Sequence, residues 1–324
     1  MAVTPSNIHF IQASNIQTSM KQHSSMTLFV DQLTVMDFSY LHVNRGIVGD
    51  SWLVDVNLDG KLNEQGMIFD FGQVKKQLKA EIDNSLDHKL VIPNGLPSLE
   101  VIEDGQSIEV SWLNNRGQPC RHRSPKSAIV ILEADSIQPQ VVKSFLEQKL
   151  KSLLPDNAEN LDLSIYPEPG LEKNDLGKSA LEKNERAPAY YHYSHGLKKH
   201  LGDCQRIAHG HRSKIEIYEN DIRAPHLEHD WSQQWQDIYI GSEDDLVDSA
   251  HSDIPSGMVR FEYEAEQGQF MIQLARESCY LIDTESTVEQ ISIHIAQALK
   301  KQFPHSTFTV KAYEGVKKGA IATR

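Results

Sequence analysis

Apolar residues alternate with mostly polar ones in many short stretches of this chain, which is the pattern of half-buried β-strands. Trp52, Val54, Val56 and Leu58 form one such series, and a run that begins at Leu28 forms another. Strands of the same kind are predicted at residues 99–102, 107–113, 128–132, 161–166, 189–196, 211–219, 258–265, 270–275 and 307–313. The chain is therefore predicted to be rich in β-structure.

Three segments instead space their apolar residues three and four apart, as an amphipathic helix does. The first follows Asp70, a residue type that caps helices, and extends to about Asn84. The others span about residues 139–154 and 287–303, and Ser286 is the predicted cap of the last one. Strands and helices together predict an α+β fold.

A chain of 324 residues is long for one domain, so we expect two. Residues 1–26 are predicted to be a polar tail, and residues 169–188 a polar linker between domains at 27–168 and 189–324. Prolines bound this linker, and the tetrapeptide Leu-Glu-Lys-Asn occurs in it twice. Residues 226–252 contain two tryptophans and an acidic run, and we interpret them as an insertion in the second domain.

The net charge of −13 argues against a general nucleic-acid-binding protein. The three cysteines, Cys120, Cys204 and Cys279, are too few and too scattered for a disulfide framework. No stretch is long and apolar enough to span a bilayer, and the first 26 residues lack the apolar core of a signal peptide. We therefore expect a cytoplasmic protein with no membrane partner.

Three histidines form a candidate metal site. His209 and His211 are two residues apart, so on a strand both imidazoles would point to the same face. His195 ends the preceding predicted strand, and a hairpin would place it beside the pair. Three imidazoles suit Zn²⁺, and an open fourth position is typical of a catalytic site. The alternative is that these are ordinary solvated surface histidines.

Cys204 lies between the two histidine-bearing strands and close to Arg206. Beside a metal and a guanidinium, its thiolate would be able to act as a base or a nucleophile. The alternative is a small buried apolar residue, which is what a free cysteine usually is. Cys120 and Cys279 have no such setting, and we expect them to be structural.

Two acidic sites complete the candidate chemistry. Asp87 and His88 follow the first predicted helix, and an aspartate that orients a histidine is useful in proton transfer. The alternative for His88 is a simple interaction with the helix end. Glu314 ends the last predicted strand, where it is either a solvated carboxylate or a ligand for the paired N–H donors of a guanidine-like ring.

These residues resemble the 6-pyruvoyl-tetrahydropterin synthase and 6-carboxytetrahydropterin synthase family. In the second half, the matching residues in order are His195, Cys204, His209-Gly210-His211 and Glu314. In the first half, they are Gly66-Met67-Ile68-Phe69-Asp70-Phe71 and Leu86-Asp87-His88. The first half has Ile47-Val48-Gly49-Asp50 at the place of the His-Gly-His motif. The resemblance therefore suggests a tandem duplication whose N-terminal copy is degenerate.

The resemblance implies two tunnelling-fold (T-fold) units with antiparallel sheets and two helices each, assembled as a homo-oligomer. It implies that Zn²⁺ binds to His195, His209 and His211, that Cys204 abstracts protons, and that Asp87 and His88 relay them. Glu314 would anchor the pterin ring. Candidates for binding the triphosphate are Arg206, which we expect to do so, and Lys198, Lys199 and Arg212. The alternative is that these are ordinary solvated charges. One unit would then complete the active site of the other.

The implied function is that of a zinc-dependent lyase that converts 7,8-dihydroneopterin triphosphate to 6-carboxy-5,6,7,8-tetrahydropterin for queuosine-type deazapurines. One alternative is the 6-pyruvoyl reaction of the same family, because the spacing between Cys204 and His209 departs from that of either branch. The other alternative is a protein that binds zinc and a pterin without catalysis.

Overall fold

A computed structural model of the chain describes residues 25–64, 66–169, 188–248 and 253–324. The predicted tail at 1–26 and linker at 169–188 lie almost wholly outside the described residues. The elements of the first half are β1 (Ser25–His42), β2 (Gly46–Lys61), α1 (Phe71–Leu86), β3 (Leu90–Pro93), β4 (Glu100–Asp104), β5 (Ser107–Leu113), β6 (Pro119–Pro125), β7 (Ile129–Leu132), α2 (Pro139–Leu150) and β8 (Ala158–Pro167).

The second half begins with a hairpin and ends with another. Its elements are β9 (Ala189–His195), β10 (His209–Glu219), β11 (Ile222–Arg223), α3 (Pro225–Gln234), β12 (Ile238–Ser242), β13 (Met258–Ala265), β14 (Gly268–Ala275), β15 (Cys279–Ile282), α4 (Val288–Gln302), β16 (Phe308–Tyr313) and β17 (Gly319–Thr323). No helix among the described residues is both long and apolar enough to cross a membrane.

Each half builds one sheet with the same strand order. The first sheet runs β7-β3-β1-β2-β8, and the second runs β15-β12-β9-β10-β16-β17. A third sheet, β13-β14-β6-β5-β4, combines strands of both halves because β14 pairs with β6. The fold is therefore a mixture of sheets and a few helices, as predicted.

The sheets are not purely antiparallel, and that part of the prediction is wrong. β3 pairs in parallel with both β1 and β7, and β12 does so with β9 and β15. A helix separates β2 from β3 and β10 from β12, and a connection of this kind allows the incoming strand to pair in parallel.

The helices cover one face of each sheet with apolar side chains. Asp70 accepts a hydrogen bond from the Gln73 backbone and caps α1, whose residues Val74, Leu78 and Ile82 are buried. The predicted cap of α4 is displaced by one residue, because the side chain of Thr287 accepts from the Gln290 backbone. Ser286 is left to make other contacts, and these lie at the candidate site.

The segment predicted as an insertion, 226–252, belongs to the shared topology. Residues 226–248 of it include most of α3 and all of β12, which stand in the second sheet where α1 and β3 stand in the first. The tryptophans that suggested an insertion pack in the second core: Trp231 and Trp235 are buried with apolar residues of β9, β10 and α4. The spacing of these tryptophans therefore reflects a helix that packs on a sheet.

The two sheets pack against each other through the hairpins β1–β2 and β9–β10. A Cβ atom added to Gly49 would lie 1.8 Å from the Tyr193 carbonyl oxygen, and one added to Gly210 would lie 2.5 Å from the Gly49 Cα. Side chains are therefore excluded where the strands approach most closely. The hydroxyls of Ser39 and Ser194 are 2.7 Å apart at the same contact.

This contact fixes the correspondence between the halves. Gly49 pairs with Ser39 in the first hairpin, and Gly210 pairs with Ser194 in the second. The correspondence extends to the parallel strands, where Leu90 is level with Ser39 and Tyr239 with Ser194. His88 and Asp237 stand two residues before Leu90 and Tyr239, so they are equivalent to each other. Both have a positive φ, 56° for His88 and 60° for Asp237.

Candidate metal centre

The three predicted histidines meet at the paired ends of β9 and β10. His195 is directly opposite His209, and His211 is opposite Tyr193. All three are at least 99% buried, and one ring nitrogen of each lies within 4.8 Å of the others. They form the one group of this kind within the described residues.

Neighbouring oxygens hold the rings in orientation. His195 Nδ1 lies 3.0 Å from the Ser286 carbonyl oxygen and 2.9 Å from the Ser286 hydroxyl. His209 Nδ1 lies 2.8 Å from the Arg206 carbonyl oxygen. A carbonyl oxygen can only accept, so Nδ1 is the protonated nitrogen in both rings and Nε2 carries the lone pair.

The protonation state and the unpaired atoms both fit a metal ion. Burial lowers the pKa of His195 and His209 well below its usual value, so both rings are neutral, as metal ligation requires. Nε2 of His195 and Nε2 of His211 are buried and have no hydrogen-bond partner. Buried polar nitrogens without partners are rare and costly, and a shared cation would satisfy them.

Asp37 supports the third histidine and was not predicted from the sequence. Its Oδ1 lies 3.3 Å from His211 Nδ1, and its other oxygen lies 3.2 Å from Lys318 Nζ. Ser51 donates a hydrogen bond of 2.5 Å to the same carboxylate. Burial would raise the pKa of Asp37, but His211 and Lys318 outweigh it and hold this pKa below the usual range.

Asp87 and His88 reach this centre from the first half of the chain. The His88 ring lies 4.8 Å from the His209 ring and 6.4 Å from the His211 ring, measured between centroids. Asp87 Oδ2 is 2.8 Å from His88 Nδ1, and Asp87 Oδ1 accepts from the Asp37 backbone at 2.8 Å. The positive φ of His88 is uncommon outside glycine and occurs where the chain turns from α1 toward the centre.

Cys204 completes the group. It lies in a short 3-10 helix, Gly202–Gln205, between β9 and β10, and is partly exposed. Burial would lower the pKa of His88, but hydrogen bonds with Asp87 and Cys204 outweigh it and raise this pKa to about 10. The pair Asp87 and His88 from the first half and Cys204 from the second half are therefore neighbours within one chain.

The two predicted substrate-binding residues differ in their contacts. Glu314 follows β16, lies 3.8 Å from Lys318 Nζ, and is linked through this lysine to Asp37. Arg206 is 7% exposed, and its guanidinium contacts Asp203 at 2.7 Å and the Asp87 carbonyl oxygen at 3.3 Å. Arg206 thus joins the two halves, and its contacts do not favour the predicted binding of a triphosphate.

Comparisons with known proteins find one family that is similar to this chain. The family model described as 6-pyruvoyl tetrahydropterin synthase matches residues 36–130. A protein of Pyrococcus abyssi named "Putative 6-carboxy-5,6,7,8-tetrahydropterin synthase" is 20% identical over 151 residues, which cover 47% of this chain and 87% of that protein. A protein of Pyrococcus horikoshii with the same name is 22% identical over 139 residues, covering 43% and 80%. The predicted resemblance to this family is confirmed.

Two solved structures are also similar in part. A Plasmodium vivax 6-pyruvoyltetrahydropterin synthase with a substituted catalytic residue is 15% identical, with a TM-score of 0.37, and the match covers 45% of this chain and 93% of that one. A Plasmodium falciparum 6-pyruvoyl tetrahydropterin synthase is 16% identical, with a TM-score of 0.34 and the same coverage.

Proposed function

We propose that this chain is a zinc-dependent lyase that converts 7,8-dihydroneopterin triphosphate to 6-carboxy-5,6,7,8-tetrahydropterin. The observation that carries the proposal is the juxtaposition of the buried histidine trio with Cys204 and His88. The names of the two Pyrococcus relatives support the 6-carboxy product. The reaction belongs in a cytoplasmic deazapurine pathway, as the sequence predicts.

The chain is further proposed to be a tandem duplication of two tunnelling-fold units. The five-strand order that recurs in both of its first two sheets supports this proposal, as does the contact between Gly49 and Gly210. In such a duplication one chain contains a unit-to-unit contact of the kind that separate subunits would otherwise make. A homo-oligomer of these chains remains a prediction.

His195 and His209 would each hold Zn²⁺ through Nε2, which their hydrogen bonds leave unprotonated, and His211 would do so through the nitrogen that faces away from Asp37. The ion would polarise the hydroxyls of the substrate side chain and acidify the adjacent C–H bonds. Asp37 fixes His211 in orientation, and Ser286 does the same for His195. Lys318 balances the charge of Asp37 and Glu314 at the edge of the centre.

Cys204 would remove the proton from the substrate side chain as a thiolate. Protonated His88 lies beside this sulfur and can return a proton to the other end of the reacting bond. Asp87 holds His88 in place through Nδ1 and stabilises the imidazolium. The Glu314 carboxylate would accept two N–H bonds from the pterin ring.

The test is turnover by zinc-loaded protein with 7,8-dihydroneopterin triphosphate, followed by product analysis. Formation of 6-carboxy-5,6,7,8-tetrahydropterin supports the proposal, whereas a 6-pyruvoyl product reassigns the branch while leaving the site intact. Tight pterin binding with no product from any dihydropterin triphosphate would contradict the enzyme assignment. It would instead favour a binding protein without catalysis.

A further inference from the structure

The first half of the chain has a cleft at the place that corresponds to the candidate metal centre. The cleft has a volume of about 460 Å³ and is lined by Arg45, Tyr190, His192, Gln236 and Asp237. The register of the two hairpins and of the parallel strands makes three of these residues equivalent to residues around the histidine trio. His192 corresponds to Asp37, Gln236 to Asp87 and Asp237 to His88. Arg45 lies in the short turn between β1 and β2, whereas Arg206 lies in the longer connection between β9 and β10.

The three metal-ligand positions have different side chains in this cleft region. Tyr40, Val48 and Asp50 correspond to His195, His209 and His211. Valine offers no donor atom. Burial, and to a smaller extent the negative charge of Asp50, raises the pKa of Tyr40 to about 12. The Tyr40 hydroxyl is therefore neutral and a poor metal ligand. The equivalent site therefore lacks a metal centre but keeps a cleft.

The polar groups of the cleft compensate one another in charge. Arg45 forms two hydrogen bonds to the Asp237 carboxylate, at 2.8 and 2.5 Å. Burial lowers the pKa of His192, whose Nδ1 lies 2.7 Å from the Gly49 carbonyl oxygen, so this ring is neutral and presents Nε2 as an acceptor. This ion-paired lining, with the Asp50 carboxylate 3.9 Å from His192 Nδ1, favours a neutral ligand over an anion.

The shape of the lining indicates a flat ligand. The rings of Tyr190 and His192 stand 5.9 Å apart at 72° to each other and form an aromatic corner. Gln236 donates through its amide nitrogen to Asp237 at 2.8 Å, which leaves its amide oxygen as an acceptor. Aromatic surface with acceptors at one edge matches a planar heterocycle that carries N–H donors.

We propose that this cleft is a second binding site, which takes the neutral ring of a pterin and holds it without chemistry. The choice of ligand rests on the proposed function, since the cleft is the structural equivalent of the proposed active site. Because the cleft has neither the histidine trio nor a cysteine in its lining, the bound ring would not react.

The test is calorimetric titration of the zinc-loaded full chain with neopterin, a stable oxidised pterin without phosphates. Two equivalents per chain are expected. Gln236→Trp fills the cleft and should remove one equivalent without lowering turnover. Glu314→Ala should remove the other. Tyr190→Leu, which takes away the aromatic wall, should weaken the cleft site at least about tenfold and serves if Gln236→Trp fails to fold.

The possible results separate the two proposals. One equivalent that is lost in Glu314→Ala and unaffected by the cleft variants would overturn the second site and leave the proposed function intact. Two equivalents that persist in both cleft variants would overturn it as well. Absence of neopterin binding in every form of the protein would overturn the second site and count against the proposed function also.

Discussion

The centre at His195, His209 and His211 and the equivalent positions of the first half, Tyr40, Val48 and Asp50, share backbone features but differ in chemistry. The hairpin register, the close glycines and the positive φ of His88 and Asp237 are common to both. Only the first has three convergent imidazoles. The proposed metal binding would therefore depend on side-chain identity at three positions, and the shared fold alone would not supply it.

Each region has one aspartate facing one histidine, but the acid and the imidazole occupy opposite structural positions in the two regions. At the metal centre, Asp37 comes from the first half and His211 from the second, 3.3 Å apart. At the cleft, the equivalent positions hold His192 from the second half and Asp50 from the first, 3.9 Å apart. An imidazole at the position of Asp37 cannot serve as the carboxylate that orients a ligand, which is a second reason why the cleft does not form a metal site.

Removing one member of the trio should have the largest effect. His209→Ala is expected to lower bound zinc from about one ion per chain to almost none, because two imidazoles are a poor site. The measurement is zinc content after gel filtration. Val48→Ala, the equivalent change in the other half, should leave zinc content unchanged. Zinc loss in both variants would mean that the distinction between the two regions is wrong.

Cys204→Ala should abolish most of the turnover while zinc stays bound. Loss of a proton-transferring group lowers kcat by about 10²–10⁴-fold. Steady-state kinetics with parallel zinc analysis check this expectation. The control is Val43→Ala, in the turn between β1 and β2, which should retain full activity. Wild-type turnover in Cys204→Ala would remove this thiol from the mechanism.

His88→Asn should reduce kcat by about 10²-fold, which is the low end of the effect of acid–base groups. Asparagine tolerates a positive φ, so the backbone turn should be kept. Asp237→Asn is the matched change at the cleft and should leave kcat unaltered.

A mixture of the His88→Asn and Cys204→Ala proteins tests whether one chain contains the whole site. Since the structure places both residues at one centre within the chain, the mixture should stay inactive. Recovery of activity on mixing would mean that the centre is completed by another chain.

Asp37→Asn should have the smallest of these effects. Loss of the carboxylate that orients a metal-bound histidine typically lowers metal affinity about 10–100-fold. Competition with a chelator measures this affinity directly, independently of turnover. Asp50→Asn, at the other acid–histidine couple, is expected to leave zinc affinity unchanged. Equal zinc affinity of wild type and Asp37→Asn would show that Asp37 does not support the centre.

Local patterns predicted the elements and the trio well. Ser107–Leu113 has the predicted bounds, and α1 begins after Asp70 as its cap predicts. His209 and His211 share a strand face because alternate residues do, and the hairpin supplies His195. These features depend on residues close in sequence or on one short connection.

Contacts between distant segments were beyond such patterns. Asp37 and Ser286 each support a histidine from far along the chain, and neither lies in a recognisable motif. The helix α3 and the strand β12 within the segment 226–252 were not predicted, because its tryptophans and acidic residues made the apolar face of α3 hard to recognise. The family model likewise matches residues 36–130, which include Asp87 and His88 but none of the trio.

A zinc-loaded crystal examined by anomalous scattering at the zinc edge tests the composite site most directly. We expect one zinc peak per chain, bound by His195, His209 and His211, with Cys204 and His88 of the same chain facing it. A peak at Tyr40 and Asp50, or a trio without metal while Cys204 faces solvent away from His88, would contradict this account.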